Sequence, residues 1–395
     1  MFYFYIFLIA VTLLGSVIVG PFSIRVYATI GMILYLLLER RNDNIIRINK
    51  GFLKVYLIFL ILMGIAQLLN GEIFEYEYFK KLLAYHLVCI VTFLTIERNV
   101  NSFLDLKCTI LYLTLLLIIN NITTILQFSG NNLGWVIGSA FGNIESNIDY
   151  FYQHDSMLGV SNTPGIFGNV VTNAAAIAIV SPLSLCLLGE NSSTLYKVFG
   201  LSNLILSSVA CFMTQQRTAV VLFGLCVVIF LLVRIKRFFP LIVISLLMVG
   251  LFGLSFEITD ANMGRLADFS DSDRNGLFSS ALDFITTHPL LGGPMSFQRQ
   301  TGLSSHNVLL DSWIFSGFFG FIAMCILIIK TVYQGIKVFM RGINNQNNYS
   351  LFCSLSVLNS MAYGFTHNTS FLTGFVFIFI VLALMLKAEI ITQEI

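Results

Sequence analysis

Twelve long hydrophobic stretches, separated by short polar segments, dominate the chain. They lie near residues 2–20, 22–38, 52–69, 79–96, 108–127, 166–189, 198–213, 218–234, 238–256, 306–329, 349–366 and 370–387. Most are long enough to cross about 30 Å of hydrocarbon as a helix, and they are too continuous for barrel strands. Because backbone groups in lipid must hydrogen-bond within their own segment, the pattern predicts an all-α integral membrane protein with about twelve transmembrane helices.

Composition supports lipid as the main solvent. The chain of 395 residues is 57% hydrophobic and 11% charged, whereas an ordinary soluble domain has about 25% charged residues. The net charge of +2 comes without a basic tract, so we expect no nucleic-acid partner. The seven cysteines have no close pairing, which indicates small buried apolar residues rather than a disulfide framework or a metal site.

Basic residues predict how the chain is oriented. Fifteen of the 22 Lys and Arg residues fall in segments that would share one side of the membrane. Because basic loops stay in the cytoplasm, both termini are expected there. Residues 1–395 then form a single polytopic membrane domain with two long outward-facing loops, a smaller one at 128–165 and a larger one at 257–305. We see no internal repeat and no soluble domain.

The smaller loop contains acidic residues and no basic residue, and it re-enters the membrane through 159–169. This segment is either a polar connector or part of a substrate groove. His154 is read as a solvated loop residue.

The larger loop has a formal negative charge, although it contains Arg265, Arg274 and Arg299. After Asp273, apolar residues recur at helical spacing until His288-Pro289 and Gly292-Gly293, which predicts an amphipathic helix on the membrane core. Ser272 or Asp273 would be its N-cap. Arg274 would then lie in the first turn, near the positive end of the helix dipole, where anions bind.

Arg217, in the turn between the seventh and eighth spans, is expected at or just below the outer membrane surface. Its side chain either reaches lipid headgroups or has a functional role. The functional role is favoured because a charge at membrane depth is energetically costly. His306 and Asn307 precede the tenth span, and His306 is either an interfacial residue or a catalytic one. Asp311 either orients a neighbour or faces water.

Two further histidines have simple interpretations. His367 is expected in a polar hairpin. His86 is expected in a helix-to-helix hydrogen bond.

Four local patterns resemble the bacterial O-antigen polymerase and O-antigen ligase superfamily. They are Gly165-Ile-Phe-Gly-Asn169 through Asn173-Ala-Ala; Gln216-Arg217-Thr218-Ala219; Arg274-Asn-Gly-Leu-Phe278-Ser-Ser-Ala-Leu282 followed by His288-Pro-Leu-Leu-Gly-Gly293; and Ser305-His306-Asn307-Val-Leu-Leu310 with Gly317-Phe-Phe-Gly320 beyond. Gln216, Phe278 and Pro294 depart from the family's usual residues, but none removes a charge. The resemblance covers about residues 160–320 closely.

The resemblance implies a metal-independent glycosyltransferase without cofactor, in the bacterial inner membrane with its active site on the periplasmic face. A polymerase moves the growing O-antigen or capsular glycan from undecaprenyl diphosphate onto the next lipid-linked repeat, and a ligase moves it onto lipid A core. The resemblance implies that Arg217, Arg274 and Arg265 bind the diphosphate and that Asn307 binds substrate. His306 would be either the general base or a hydrogen-bond donor to phosphate. A chain-length regulator is a possible partner. The reading from another class is a flippase or transporter of a lipid-linked glycan.

Overall fold

A computed structural model describes residues 2–14, 17–19, 22–38, 50–72, 76–141, 163–189, 193–214, 216–234, 272–302, 305–367, 371, 372 and 374–393. These residues are almost entirely helical, and they contain α1 (Phe2–Leu13), α2 (Ile24–Leu38), α3 (Lys50–Leu69), α4 (Tyr76–Asn99), α5 (Phe103–Phe128), α6 (Asn132–Phe141), α7 (Val170–Val180), α8 (Thr194–Met213), α9 (Arg217–Arg234), α10 (Ser272–Thr287), α11 (Pro294–Thr301), α12 (Val308–Asn344), α13 (Asn348–Gly364) and α14 (Val376–Ile391). Strands β1 (Ile18–Val19) and β2 (Phe22–Ser23) pair as a short antiparallel hairpin.

Eleven of the twelve predicted spans contain a helix, and the remaining one, the ninth span at 238–256, lies outside the described residues. Five helical segments in the described part are long and apolar enough to cross a membrane: Gly51–Leu69, Phe103–Phe128, Val170–Leu188, Thr194–Met213 and Val308–Asn344. Apolar side chains such as Ile61 and Phe319 are also exposed on the bundle surface, as expected where lipid is the solvent. The protein is therefore an integral membrane protein, and the total of twelve crossings stays a prediction.

Three predicted spans differ in extent from the helices. The first, 2–20, is wrong beyond Leu13, where α1 ends and the β1–β2 hairpin follows, because Gly15, Gly20 and Pro21 disfavour a continuous helix. The sixth changes from α7 to a 3-10 helix, Ser181–Leu188, which has Pro182 in its first turn. The tenth begins at Val308 and continues to Asn344. The predicted span ended at residue 329 because the later turns are amphipathic and lack uniform hydrophobicity.

The two predicted loops contain helices. The helix expected after Asp273 is confirmed as α10, which begins at Ser272. Both proposed N-caps, Ser272 and Asp273, are therefore inside the helix, and that part of the prediction is wrong. Helices α6 and α11 were not predicted. α6 lies against α5 where a Cβ on Gly134 would stand 2.6 Å from the Gln127 nitrogen, so only glycine allows this approach.

Side-chain contacts define the two ends of the helical bundle. At the first, Asn307 Nδ2 donates to Phe365 O (3.2 Å), which joins the start of α12 to the end of α13. At the second, Arg341 donates to Glu389 (2.6 Å) and Lys387 to Asn101 (3.3 Å), which joins the ends of α12, α14 and α4. We call these the His306 end and the Glu389 end.

Candidate functional site at the His306 end

His306 lies in a tight turn directly before α12. Ser305 donates to Asp311 Oδ1 through its backbone nitrogen (2.9 Å) and its hydroxyl (2.7 Å). Ser305 and Asp311 are 0% and 3% exposed, so these bonds satisfy a carboxylate that burial would otherwise destabilise. Asp311 therefore orients a neighbour and does not face water.

The turn holds His306 in an uncommon conformation. His306 has φ of 56°, the left-handed region that costs a non-glycine residue about 1–3 kcal/mol. Its side chain is half-buried. Such strain persists only where neighbouring contacts fix the backbone, and here the bonds of Ser305 and Asn307 do so on both sides.

Asn307 has a structural role in this turn. Its Oδ1 accepts from the nitrogens of Leu309 (2.9 Å) and Leu310 (3.3 Å) and so caps α12, while its Nδ2 donates to Phe365 O. Both polar atoms of the side chain are thus engaged within the protein. Its predicted contact with substrate stays untested, and the geometry favours a positioning role.

Arg217 begins α9 at the same end of the bundle. Asn359 Nδ2, five residues before the end of α13, donates to Leu222 O (3.4 Å), five residues into α9. Since a helix rises about 1.5 Å per residue, Arg217 and the end of α13 lie at similar heights. The Asn307 contact to Phe365 brings His306 to that height too. The Arg217 side chain is half-buried.

The glycine turn at Gly165 adjoins the Arg217 turn. Thr163 Oγ1 donates to Met213 O (3.2 Å), four residues before Arg217. Gln127 of α5 bonds both backbone groups of Gly165, accepting from its nitrogen (2.8 Å) and donating to its carbonyl (3.2 Å). Gly165 has φ of 59°, and a Cβ there would stand 2.2 Å from Asn120 Oδ1. The glycine is therefore required by the conformation and by the close approach of α5.

Asn173 completes this anchoring. Its amide nitrogen donates to Thr124 Oγ1 (2.9 Å) and to Thr163 O (2.7 Å), while its oxygen accepts from Asn120 Nδ2 (2.7 Å). All four residues are buried. The Gly165–Asn173 pattern thus consists of a buried turn and the side-chain amide that holds it, and a role in a substrate groove stays a prediction.

Helix α10, which carries Arg274 in its first turn, packs on the start of α12. Ala281, Phe284 and Ile285 form a small apolar cluster with Phe297 and Ile314. His288 stacks on Phe284, with ring centroids 4.3 Å apart. The Arg274 side chain, Arg265 and His154 lie outside what the structure describes. That Arg217 and Arg274 converge on one binding site therefore remains a prediction.

The segment after α10 is inserted into a break in α12. Gly317 has φ of 64° and ψ of −169°, which interrupts that helix. Ile314 O accepts from Gly293 N (2.8 Å), and Phe318 N donates to Pro289 O (3.2 Å). Trp313 Nε1 also donates to Pro289 O (2.8 Å). Thus the backbone groups released by the break find partners in the inserted turn.

Glycines make this joint possible. A Cβ on Gly317 would stand 1.9 Å from Leu290 O, and one on Gly292 would stand 2.2 Å from Ile314 O. Gly292-Gly293 and Gly317, which belong to two different patterns shared with the superfamily, therefore lie in the same contact. We call this contact the Gly292–Gly317 joint.

Two residues of the site region were missed from the sequence. Asn70 and Glu72, just after α3, bond the backbone of 291–296. An acidic residue, Glu72, directly after an apolar run was the only signal in the sequence. Of the other histidines, His86 meets Tyr56 Oη at 2.5 Å across α3 and α4, as predicted. His367 lies in the turn after α13, and its side chain is 5% exposed and stacked on Tyr363.

These features define a polytopic membrane protein in which an arginine begins one helix and a strained histidine precedes another at the same end of the bundle. The sequence model of the O-antigen ligase family matches residues 202–325, from within α8 to the middle of α12. The match confirms the resemblance to the O-antigen polymerase and ligase superfamily, and the matched segment contains Arg217, Arg274 and His306. No curated protein sequence matches the chain.

Proposed function

We propose that this protein polymerises lipid-linked oligosaccharide repeats of an O-antigen or capsular polysaccharide. The family match supports a glycosyltransferase of the O-antigen polymerase or ligase type acting on lipid-linked glycans. The observation that carries the proposal is that Arg217 begins α9 and His306 directly precedes the cap of α12 at the same end of the bundle, both inside the matched segment.

In this mechanism the arginines hold the donor diphosphate. Guanidinium groups of Arg217 and Arg274, assisted by Arg265, bind the phosphate oxygens in bidentate fashion. They stabilise the charge that develops as the bond between the sugar C1 and the phosphate oxygen breaks, so undecaprenyl diphosphate leaves. This role requires no metal ion or cofactor.

His306 acts on the acceptor. As general base it takes the proton of the attacking hydroxyl while the new C1–oxygen bond forms. In the alternative role, its imidazole would instead donate a hydrogen bond to the diphosphate leaving group. Asn307 and Asp311 fix the turn on either side, so we assign both to positioning His306 rather than to contact with substrate.

The predicted orientation completes the proposal. With both termini in the cytoplasm, the His306 end faces the periplasm, where lipid-linked repeats are assembled into long chains. The loops 128–165 and 257–305 would then border the substrate on that side. A chain-length regulator would be a separate protein partner.

A glycan ladder in a deletion strain tests the arginine clamp. Complementation with the wild-type gene should restore the ladder, whereas Arg217→Ala and Arg274→Ala should abolish it at unchanged membrane abundance. Arg341→Ala is the matched control, because it removes a guanidinium that pairs with Glu389 at the opposite end, and its ladder should stay normal. A full-length ladder from either Arg217→Ala or Arg274→Ala would disprove that these arginines hold the diphosphate.

The same strain separates the alternatives. Loss of all chains beyond one repeat supports the polymerase. Chains of normal length on undecaprenyl diphosphate without attachment to lipid A core would identify a ligase. Accumulation of lipid-linked substrate on the cytoplasmic face would identify a flippase.

A further inference from the structure

The segment from Leu291 to Ser296 covers the end of the connection between α10 and α11 and the first turn of α11, and it lies between α3 and α12. On one side it enters the Gly292–Gly317 joint with α12. On the other side it meets Asn70 and Glu72, which follow α3. The position of this segment is therefore set from both sides by the membrane bundle.

Asn70 satisfies two carbonyl groups of the turn. Its Nδ2 donates to Leu291 O (3.1 Å) and to Gly292 O (3.2 Å). A turn of this kind has no ladder partner for these oxygens, so a side-chain amide replaces the regular hydrogen bonds. Aspartate at this position would place carboxylate oxygens against carbonyl oxygens.

Glu72 caps α11 from another part of the chain. Helix α11 starts after Gly293, which offers no side-chain cap. Glu72 Oε2 accepts from Met295 N (3.2 Å), and Oε1 accepts from Ser296 N (3.1 Å) and Ser296 Oγ (3.2 Å). Glu72 is 8% exposed, and a buried carboxylate at a helix start is stabilised by free N–H groups and by the helix dipole.

The contacts continue from α11 to the helix that carries Arg274. Phe297 of α11 packs edge-on against Phe284 of α10, with ring centroids 5.3 Å apart. Gly293 also lies close to both partners, since a Cβ there would stand 3.3 Å from Phe284 and 3.4 Å from Glu72 Oε1. Glu72 is thus connected to α10 through Gly293 and through the contact between Phe297 and Phe284.

We propose that Asn70 and Glu72 are positioning residues that fix α10 and α11 on the bundle so that Arg274 meets the donor diphosphate. We call the pair the Asn70–Glu72 clamp. The inference rests on the proposed function for its chemical consequence. Its structural part, a clamp on residues 291–296, stands on the contacts alone.

Hydrogen–deuterium exchange of the full-length protein in nanodiscs tests the clamp without substrate. Glu72→Ala should raise exchange of peptides covering 292–297. Glu72→Gln should keep most of the protection, because an amide oxygen still accepts from both Ser296 groups. Glu389→Ala is the control, since it removes a carboxylate bonded to Gln334 and Arg341 at the opposite end. Unchanged exchange in Glu72→Ala would overturn the clamp.

Steady-state kinetics on the same samples test positioning. Glu72→Ala and Asn70→Asp should lower kcat/KM for the lipid-linked donor by on the order of 10-fold to 10²-fold, the scale of a misplacement of about 1 Å. Glu72→Gln should recover most of the loss, and Glu389→Ala should leave kcat/KM unchanged. A Glu72→Ala protein that melts earlier but transfers normally per folded molecule would reduce the clamp to a structural role and overturn the proposal.

Failure of the proposed function would look different. Wild-type protein would then lack transfer activity, while Glu72→Ala still raised exchange at 292–297. That result would support the clamp and remove its role in this reaction.

Discussion

The two ends of the bundle satisfy their polar groups in different ways. At the Glu389 end, Glu389 contacts Arg341 (2.6 Å) and Lys337 (4.0 Å), and Ser102 and Asp105 form a capping box at the start of α5. At the His306 end, the buried carboxylates Glu72 and Asp311 accept hydrogen bonds from backbone nitrogens and serine hydroxyls, and neither pairs with an arginine in the described part of the chain.

The difference shows what each end is built for. An ion pair neutralises a basic residue within the protein, and at an exposed position it contributes at most about 1 kcal/mol. Glu72 and Asp311 instead accept hydrogen bonds that fix the first turn of α11 and the turn at His306. The described carboxylates of the His306 end therefore position backbone segments, whereas Glu389 connects helix ends through basic side chains.

Replacing Gly317 by alanine should break the His306 end most severely. The new Cβ would stand 1.9 Å from Leu290 O in a backbone region that alanine avoids, so the Gly292–Gly317 joint must open. We expect loss of transfer and a lower melting temperature, measured by activity and thermal unfolding in detergent. Gly64→Ala in α3 is the control, because nothing lies within 4 Å of its Cβ position. A Gly317→Ala protein with normal melting and transfer would show that the joint is dispensable.

Substituting His306 tests the chemistry directly. His306→Ala should lower the transfer rate by on the order of 10²–10⁴ if the imidazole is the general base. His306→Gln separates the two roles, because glutamine can donate a hydrogen bond to phosphate but cannot take a proton. Recovery in His306→Gln would support the phosphate role, and its absence would support the base. Near-normal turnover of His306→Ala in a purified assay would assign this residue to structure alone.

The sequence predicted the parts of this fold that depend on local pattern. Helix α10 follows from apolar spacing between Leu277 and Ile285, and most spans follow from uninterrupted hydrophobicity. The joint was not predicted, because Gly317 lies within an apolar run and its conformation depends on a turn more than 20 residues earlier. Residues such as Glu72 were missed for the same reason: their contacts are made across more than 200 residues of chain.

The caps of α12 and α13 offer the finest comparison between the ends. Asn307 Oδ1 accepts from Leu309 N and Leu310 N, and Asn347 Oδ1 accepts in the same way from Tyr349 N (3.0 Å) and Ser350 N (3.1 Å). Because the two caps are alike, Asn307→Ala and Asn347→Ala should each cost about 1 kcal/mol of stability, read from thermal or denaturant unfolding.

Only one of these losses should reach the reaction. Asn307 adjoins His306 and ties it to Phe365 O, so its removal frees the strained turn and should lower kcat more than the stability change requires. Asn347→Ala leaves the His306 turn intact and should transfer glycan at the normal rate per folded molecule. Equal effects of the two substitutions on kcat would mean that capping alone matters, and that the two ends do not differ in function as their contacts indicate.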